Sequence, residues 1–285
     1  MTDSDLPYTV YTPESKIRHP WRLIKEMFQS LKASRNLAWR LMVRDISAMY
    51  RQTALGYFWA VFPPMVTSLV LILMRSSAVI SVTDLGVPYP VYVMMGTIYF
   101  QLFVDALNAP LKMATESKAI LTKIHLPGEA LILSGMGQVL FSFFVKMALL
   151  VVVFIIFRVP VPWTVCLLPL PLTGLLFMGT MIGVLLIPAG LLYKDIQSAL
   201  LIVTSALVFL TPVAYPPIVG GTMGKLMALN PISPFLMAAK ELTIRGIPAD
   251  ITLFFIMFAA TLVLLFLGWM IFRLALPIII ERIGA

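Results

Sequence analysis

The chain has 285 residues, 60% of them hydrophobic and only 12% charged, with a formal net charge of +8. A soluble domain carries about 25% charged residues, so half the polar coat such a domain needs is missing and a bilayer is the fitting solvent. The positive charge does not indicate nucleic acid, because the chain carries none of the motifs of nucleic-acid readers. A single cysteine, Cys166, excludes an intrachain disulfide and a cysteine-based metal cluster.

The first fifteen residues are polar, with Asp3, Asp5 and Glu14, and hold no apolar stretch of a cleavable signal peptide. Residues 20–34, PWRLIKEMFQSLKAS, set Trp21, Ile24, Met27, Phe28 and Leu31 at helical spacing among Arg22, Lys25, Glu26 and Lys32. Pro20 suits a first helical turn. The pattern predicts an amphipathic helix in the membrane interface, and a helix packed on a protein partner fits it equally.

A crossing of about 30 Å of hydrocarbon needs about 20 apolar residues. Six stretches qualify, at 55–80, 89–110, 131–157, 164–192, 196–216 and 251–274. An even number puts both ends on one side. Nine of the 21 lysines and arginines precede Thr53, and with both termini inside, 15 fall in inner segments against four in outer ones. Inner loops of membrane proteins carry that excess, so both termini are expected in the cytoplasm. The division is a cytoplasmic region 1–52 with the interface helix, a membrane domain 53–276, and a tail 277–285. The outer segment 217–250 is rich in proline yet apolar; short helices dipping back into the membrane are expected there, one opened by Ser233 and Pro234 and closed by Gly246.

Several motifs resolve to plain readings. GGTMGKL at 220–226 fails as a phosphate loop, because Val219 stands where the first glycine belongs and Leu226 where serine or threonine should follow the lysine. Gly179 and Gly183 form a GxxxG that brings helices close, within one subunit or between two. His19 and His125, far apart in sequence, read as interfacial rather than metal-binding. Arg75, roughly 28 Å along its span, reaches the outer interface.

Lys146 lies well inside the third span, where insertion of a lysine costs about 3 kcal/mol, which makes it a pathway candidate by default, with a structural hydrogen bond or an unseen partner as the alternative. Asp105 is placed nearer the cytoplasmic end of the second span and is not expected to meet it. Tyr57, Phe58 and Trp59, then Tyr89, Tyr92, Tyr99, Phe100 and Phe103, either form interfacial belts or in part face a pore. Tyr92, Tyr99 and Phe103 share a helical face. The candidate pathway residues are therefore Tyr57, Trp59, Tyr92, Tyr99, Phe103 and Lys146. The sequence contains no paired carboxylates, nucleophile elbow or metal cluster, so it favours moving a substrate over transforming one.

The stretch Arg44–Pro64, RDISAMYRQTALGYFWAVFPP, resembles the signature before the first span of ABC-2-type permeases that export O-antigen, capsule and teichoic acid polymers. Arg44, Asp45, Tyr50, Gln52, Thr53, Leu55, Gly56, Trp59 and Pro64 match; Met49 and Arg51 replace an arginine and a lysine. Further blocks resemble the family in order: ILTKIHLPGEA at 120–130, YKDIQ at 193–197, TPVAYP at 211–216 and LNPISPF at 229–235. His125 and Gly128 depart from the usual aromatic and basic residues of the first block.

The resemblance implies an all-α membrane fold with six spans per subunit, an interface helix and short outer gate helices. It implies a homodimer that docks two separate ATPase subunits, which bind ATP and Mg, and a lipid-linked polysaccharide as cargo at a bacterial inner membrane. Membrane lipids and periplasmic or outer-membrane export components would be further partners, and nucleic acid would not. A coupling segment at 110–126 would present Glu116, Lys118, Leu121 and Lys123 to the ATPase, and Arg44 with Arg51 would receive the lipid diphosphate. Rival readings are an exporter of a small hydrophobic compound, a membrane enzyme acting on polyprenyl-phosphate sugars, and a secondary transporter.

Overall fold

A computed structural model describes residues 20–51, 56, 58–76, 85–118, 127–193, 195–217 and 220–284. The described residues form nine α-helices and one short 3-10 turn. They are α1 (Pro20–Arg51), α2 (Phe58–Ser76), α3 (Tyr89–Glu116), α4 (Gly128–Ile156), α5 (Pro169–Leu192), α6 (Asp195–Leu210), α7 (Gly221–Leu229), α8 (Ser233–Ile244) and α9 (Ile251–Gly284), with the 3-10 turn at Trp163–Leu167. Four segments are long and apolar enough to cross a membrane: Tyr89–Glu116, Gly128–Ile156, Trp163–Leu192 and Ile251–Arg282. Phe58–Met74 and Asp195–Leu210 are shorter apolar helices.

α3 is the central element, because small residues on its neighbours let them approach. A Cβ on Gly179 of α5 would stand 2.5 Å from the Phe103 carbonyl oxygen, and one on Gly183 would fall on the Leu107 carbonyl. The GxxxG therefore packs within the subunit. Successive contacts of Phe103 with Gly179 and Leu111 with Gly190 run in the same direction, so α3 and α5 are parallel. α4 runs antiparallel on the other side, with Gly135 against Met113 and Ala109. α2 is also antiparallel to α3; the buried hydroxyls of Ser68 and Thr97 meet at 2.9 Å, a polar link inside an apolar layer.

The helices overrun the apolar runs that predict them. α3 passes through Pro110 to Glu116, so the first part of the expected coupling segment is the end of that helix, and residues 119–126, with Leu121 and Lys123, lie outside the described residues. Pro110 costs the Ala106 carbonyl its amide donor without ending the helix, which is packed by α4 and α5.

The amphipathic helix is longer than residues 20–34 and uses its apolar stripe on the protein itself. Met27, Ser34 and Ala38 are buried, and Phe28 stacks edge-on against Trp269 of α9 at 5.8 Å. Met42 packs on Gly137 of α4. The side chain of Trp21 lies outside the described residues.

The segment expected on the outer side holds a packed helix, α8. Phe235 and Leu236 of α8 are fully buried, and Phe235 meets Phe254 of α9 at 5.6 Å. Pro234 stands in the first turn as expected, and Gly246, at φ +110°, closes the helix after its amide bonds the Glu241 carbonyl. Ser233 does not cap. Its hydroxyl is buried without a partner, and the Asn230 side chain instead accepts from the Ile232 amide while donating to Thr211. Asparagine reaches a backbone amide two residues on, which fixes the turn leading into α8 without capping it.

Candidate functional site, a polar cavity inside the helical layer

A cavity of about 380 Å³ opens between the end of α1, α2, α3 and α4. Its polar wall comes from two stripes. Gln101, Asp105, Asn108 and Lys112 recur at helical spacing on α3, and Gln138, Ser142 and Lys146 do so on α4. Trp59, Ala60 and Pro63 of α2 form the opposite side. Pro63 and Pro64 lack the amides that would bond the carbonyls of Trp59 and Ala60, so two further acceptors stand beside the cavity.

Lys146 and Asp105 meet here, contrary to the expectation from the apolar runs. The ammonium stands 2.5 Å from the carboxylate, with the lysine side chain 5% and the aspartate 25% exposed. Asp105 also accepts from Gln101 Nε2 at 2.8 Å. Two features of the helices explain the meeting. α3 continues well past residue 110, which moves Asp105 towards mid-helix, and the Gly135 register puts it one to two turns, roughly 5–10 Å, below Lys146. Each side chain leans towards the N-terminus of its own helix, and in an antiparallel pair the two then lean together.

Around the mouth, Gln138 Nε2 donates to Asp45 of α1 at 3.2 Å, and Arg44 Nε donates to the same carboxylate at 2.7 Å. Arg44 remains more than half exposed and Arg51 is exposed at the end of α1. Trp59 is half exposed beside the cavity. Tyr57 lies outside the described residues, as does the side chain of Arg75.

The other predicted pathway aromatics turn elsewhere. Tyr92, Tyr99 and Phe103 do share one face of α3, but that face is buried in the core of the subunit rather than along an open path. Tyr99 exchanges a hydrogen bond with Thr243 of α8 at 3.1 Å, and the Tyr92 hydroxyl donates to the Tyr215 carbonyl. α8 and the turn 211–216 cover that face, which the spacing along α3 does not reveal.

Lys240 lies within the segment 217–250 expected on the outer side, yet it is fully buried. Its Nζ donates to the carbonyls of Pro212 (2.7 Å) and Val213 (2.6 Å) and lies 3.8 Å from the centre of the Tyr92 ring. The missing side chain of Gly96 makes the room. One lysine thus fastens α8, the end of α6 and α3 together by two hydrogen bonds and a contact with the Tyr92 ring, and its burial pushes the amine well below the usual lysine range.

Of the coupling residues, Glu116 is exposed and 3.9 Å from Lys112. Lys118 is turned inward, donating to the Leu191 carbonyl at the end of α5, where a cation suits the helix terminus. Among the described residues no group of three or more His, Cys, Asp or Glu could hold a metal.

Amides, a carboxylate and an ammonium can read hydroxyl groups as donors and acceptors, and an indole offers a flat apolar face. The cavity thus offers a polar, hydroxyl-rich group a place among apolar helices. No family profile matches the chain. It is similar to the O-antigen export system permease protein RfbA of Myxococcus xanthus, 24% identical over 196 residues, which cover 68% of this chain and 72% of that protein. This relative bears out the resemblance to ABC-2-type polysaccharide export permeases.

Proposed function

We propose that the chain is the permease subunit of an ATP-driven exporter that carries a lipid-linked polysaccharide across a bacterial inner membrane. The observation that carries this reading is the cavity of α2, α3 and α4, with Gln101, Asp105, Asn108, Lys146 and Trp59 gathered among apolar helices. The similarity to RfbA supports a cargo of the O-antigen kind.

In this reading six helices span the membrane, α2 and α6 being the short ones. Their directions support it: α2 is antiparallel to α3, and α5 and α9 run parallel, so the chain must return between them along α6. Both termini face the cytoplasm, and residues 217–250 form an outer gate around α8. Two copies pair, and two ATPase subunits dock at the inner ends with their ATP and Mg, near Glu116 and residues 119–126. Arg44 and Arg51 receive the lipid diphosphate beside the cavity. Hydrolysis in the partner rocks the subunits against each other as rigid bodies.

Deletion in the native host, with glycan assayed on both sides of the inner membrane, tests the proposal. Lipid-linked polymer should accumulate inside, with rescue only when this chain and a functional ATPase are both supplied. Normal surface glycan in a host lacking a redundant exporter would overturn polysaccharide export in favour of a small hydrophobic cargo.

A further inference from the structure

A second cavity, about 440 Å³, lies at the other end of α4 and differs from the first in chemistry. Its long wall is a stripe of α4, with Met147, Leu150 and Phe154 at helical steps and Arg158 just past the helix end, and Val165 and Leu168 close it from the 3-10 side. The hydroxyls of Tyr99 and Thr243 at its edge are bonded to each other, so they ask nothing of an occupant. One charge remains. Arg158 lines the cavity, is exposed, and among the described residues pairs with no carboxylate.

The backbone at Arg158 is a second observation. Its φ is +51°, and it is the non-glycine residue with positive φ among those described. The Arg158 amide bonds the Ile155 carbonyl and the Val159 amide bonds the Phe154 carbonyl, the pair of bonds that ends a helix in a Schellman motif. The position Arg158 fills is one where glycine is usual, because a side chain there is strained. An arginine held there places its guanidinium at the head of an apolar groove.

The dimensions agree with a lipid. From Met147 to the end of α4 at Ile156 the groove runs roughly 14 Å, with Arg158 just beyond. Half of a hydrocarbon core of about 30 Å is nearly the same length. Trp163, three-quarters exposed just beyond the groove, suits the interface where head groups lie.

We propose that this groove holds one acyl chain of an anionic glycerophospholipid from the leaflet on the α8 side, with the lipid phosphate on Arg158. The chain lies along α4, and its flank presses on the Tyr99–Thr243 hydrogen bond that ties α8 to α3. An occupied groove therefore steadies α8. Because this site is separate from the polar cavity, it stands or falls independently of the cargo.

Native mass spectrometry of the purified full chain, with phosphatidylglycerol against phosphatidylcholine, tests the assignment. The wild-type chain should retain phosphatidylglycerol at least tenfold better. Arg158→Gly should abolish that preference while unfolding at the same or a higher temperature, since glycine suits the backbone, and Arg158→Lys should restore part of it. Val165→Trp, which fills the groove, should reduce retention of both lipids. Undiminished preference in Arg158→Gly overturns the head-group assignment even if Val165→Trp does not fold. Undiminished retention in a folded Val165→Trp overturns the groove.

Discussion

The Lys146 ammonium and the Asp105 carboxylate form a 2.5 Å ion pair between α4 and α3, in the wall of a cavity otherwise lined by amides, Ser142, Lys112 and apolar side chains. Removing one partner of such a pair leaves the other charge buried and alone, at a cost of about 3 kcal/mol. Asp105→Ala and Lys146→Met should each lower the thermal unfolding temperature of the detergent-purified protein. The double variant should recover most of the loss, because no orphan charge remains; purely additive losses would show that the pair is not coupled.

The cavity residues also predict an effect on transport that stability does not share. Trp59→Ala removes an exposed ring and leaves no buried charge, so folding should be little changed. Surface glycan should nonetheless fall severalfold, measured by quantitative blotting at matched protein levels. An unchanged yield would remove Trp59 from the pathway.

Lys240 gives a separate prediction at the outer segment. Lys240→Met strips the carbonyls of Pro212 and Val213 of their amine donor, at a cost of about 1–3 kcal/mol for the buried acceptors. Hydrogen exchange in α8 and around 211–216 should accelerate, while α4 and α5 keep their protection. Uniform acceleration throughout would mean that Lys240 supports the whole fold rather than this junction.

At the inner end, Glu116 and Lys118 should separate. Lys118→Met loses a bond to the end of α5 and should lower stability by about 0.5–1 kcal/mol. Glu116→Lys changes an exposed charge whose partner is 3.9 Å away, so stability should hold while the ATPase activity of the assembled complex loses its dependence on this subunit. Intact coupling in Glu116→Lys would exclude that residue from the docking surface.

Much of this arrangement is written in residue spacing. The apolar runs mark the helices, and the Gly179–Gly183 pair marks the close approach of α5 to α3. The polar stripes were equally open to reading, since Gln101, Asp105, Asn108 and Lys112 step by four, three and four, and Gln138, Ser142 and Lys146 by four and four. Taken singly, Asp105 and Lys146 seem to lie at different depths, because apolar runs stop before helices do; α3 carries polar residues past Pro110 once its sides are packed. The interior face of Tyr92, Tyr99 and Phe103 was not legible, because what covers it comes from α8, more than a hundred residues away. Lys240 was misleading for the same reason. A lysine among outer residues looks solvated until a glycine on another helix, Gly96, is seen to make a pocket for it.

The glycine contacts between α5 and α3 have a mechanical consequence. With the Phe103 and Leu107 carbonyls seated where side chains would stand on Gly179 and Gly183, neither helix can slide by a residue or roll without driving a bulky neighbour into backbone. The pair behaves as a single keel. Any motion within the subunit must then fall to the shorter, lightly packed α2 and α6 on its flanks, and the proline pair of α2, at the edge of the polar cavity, is where that helix is easiest to bend.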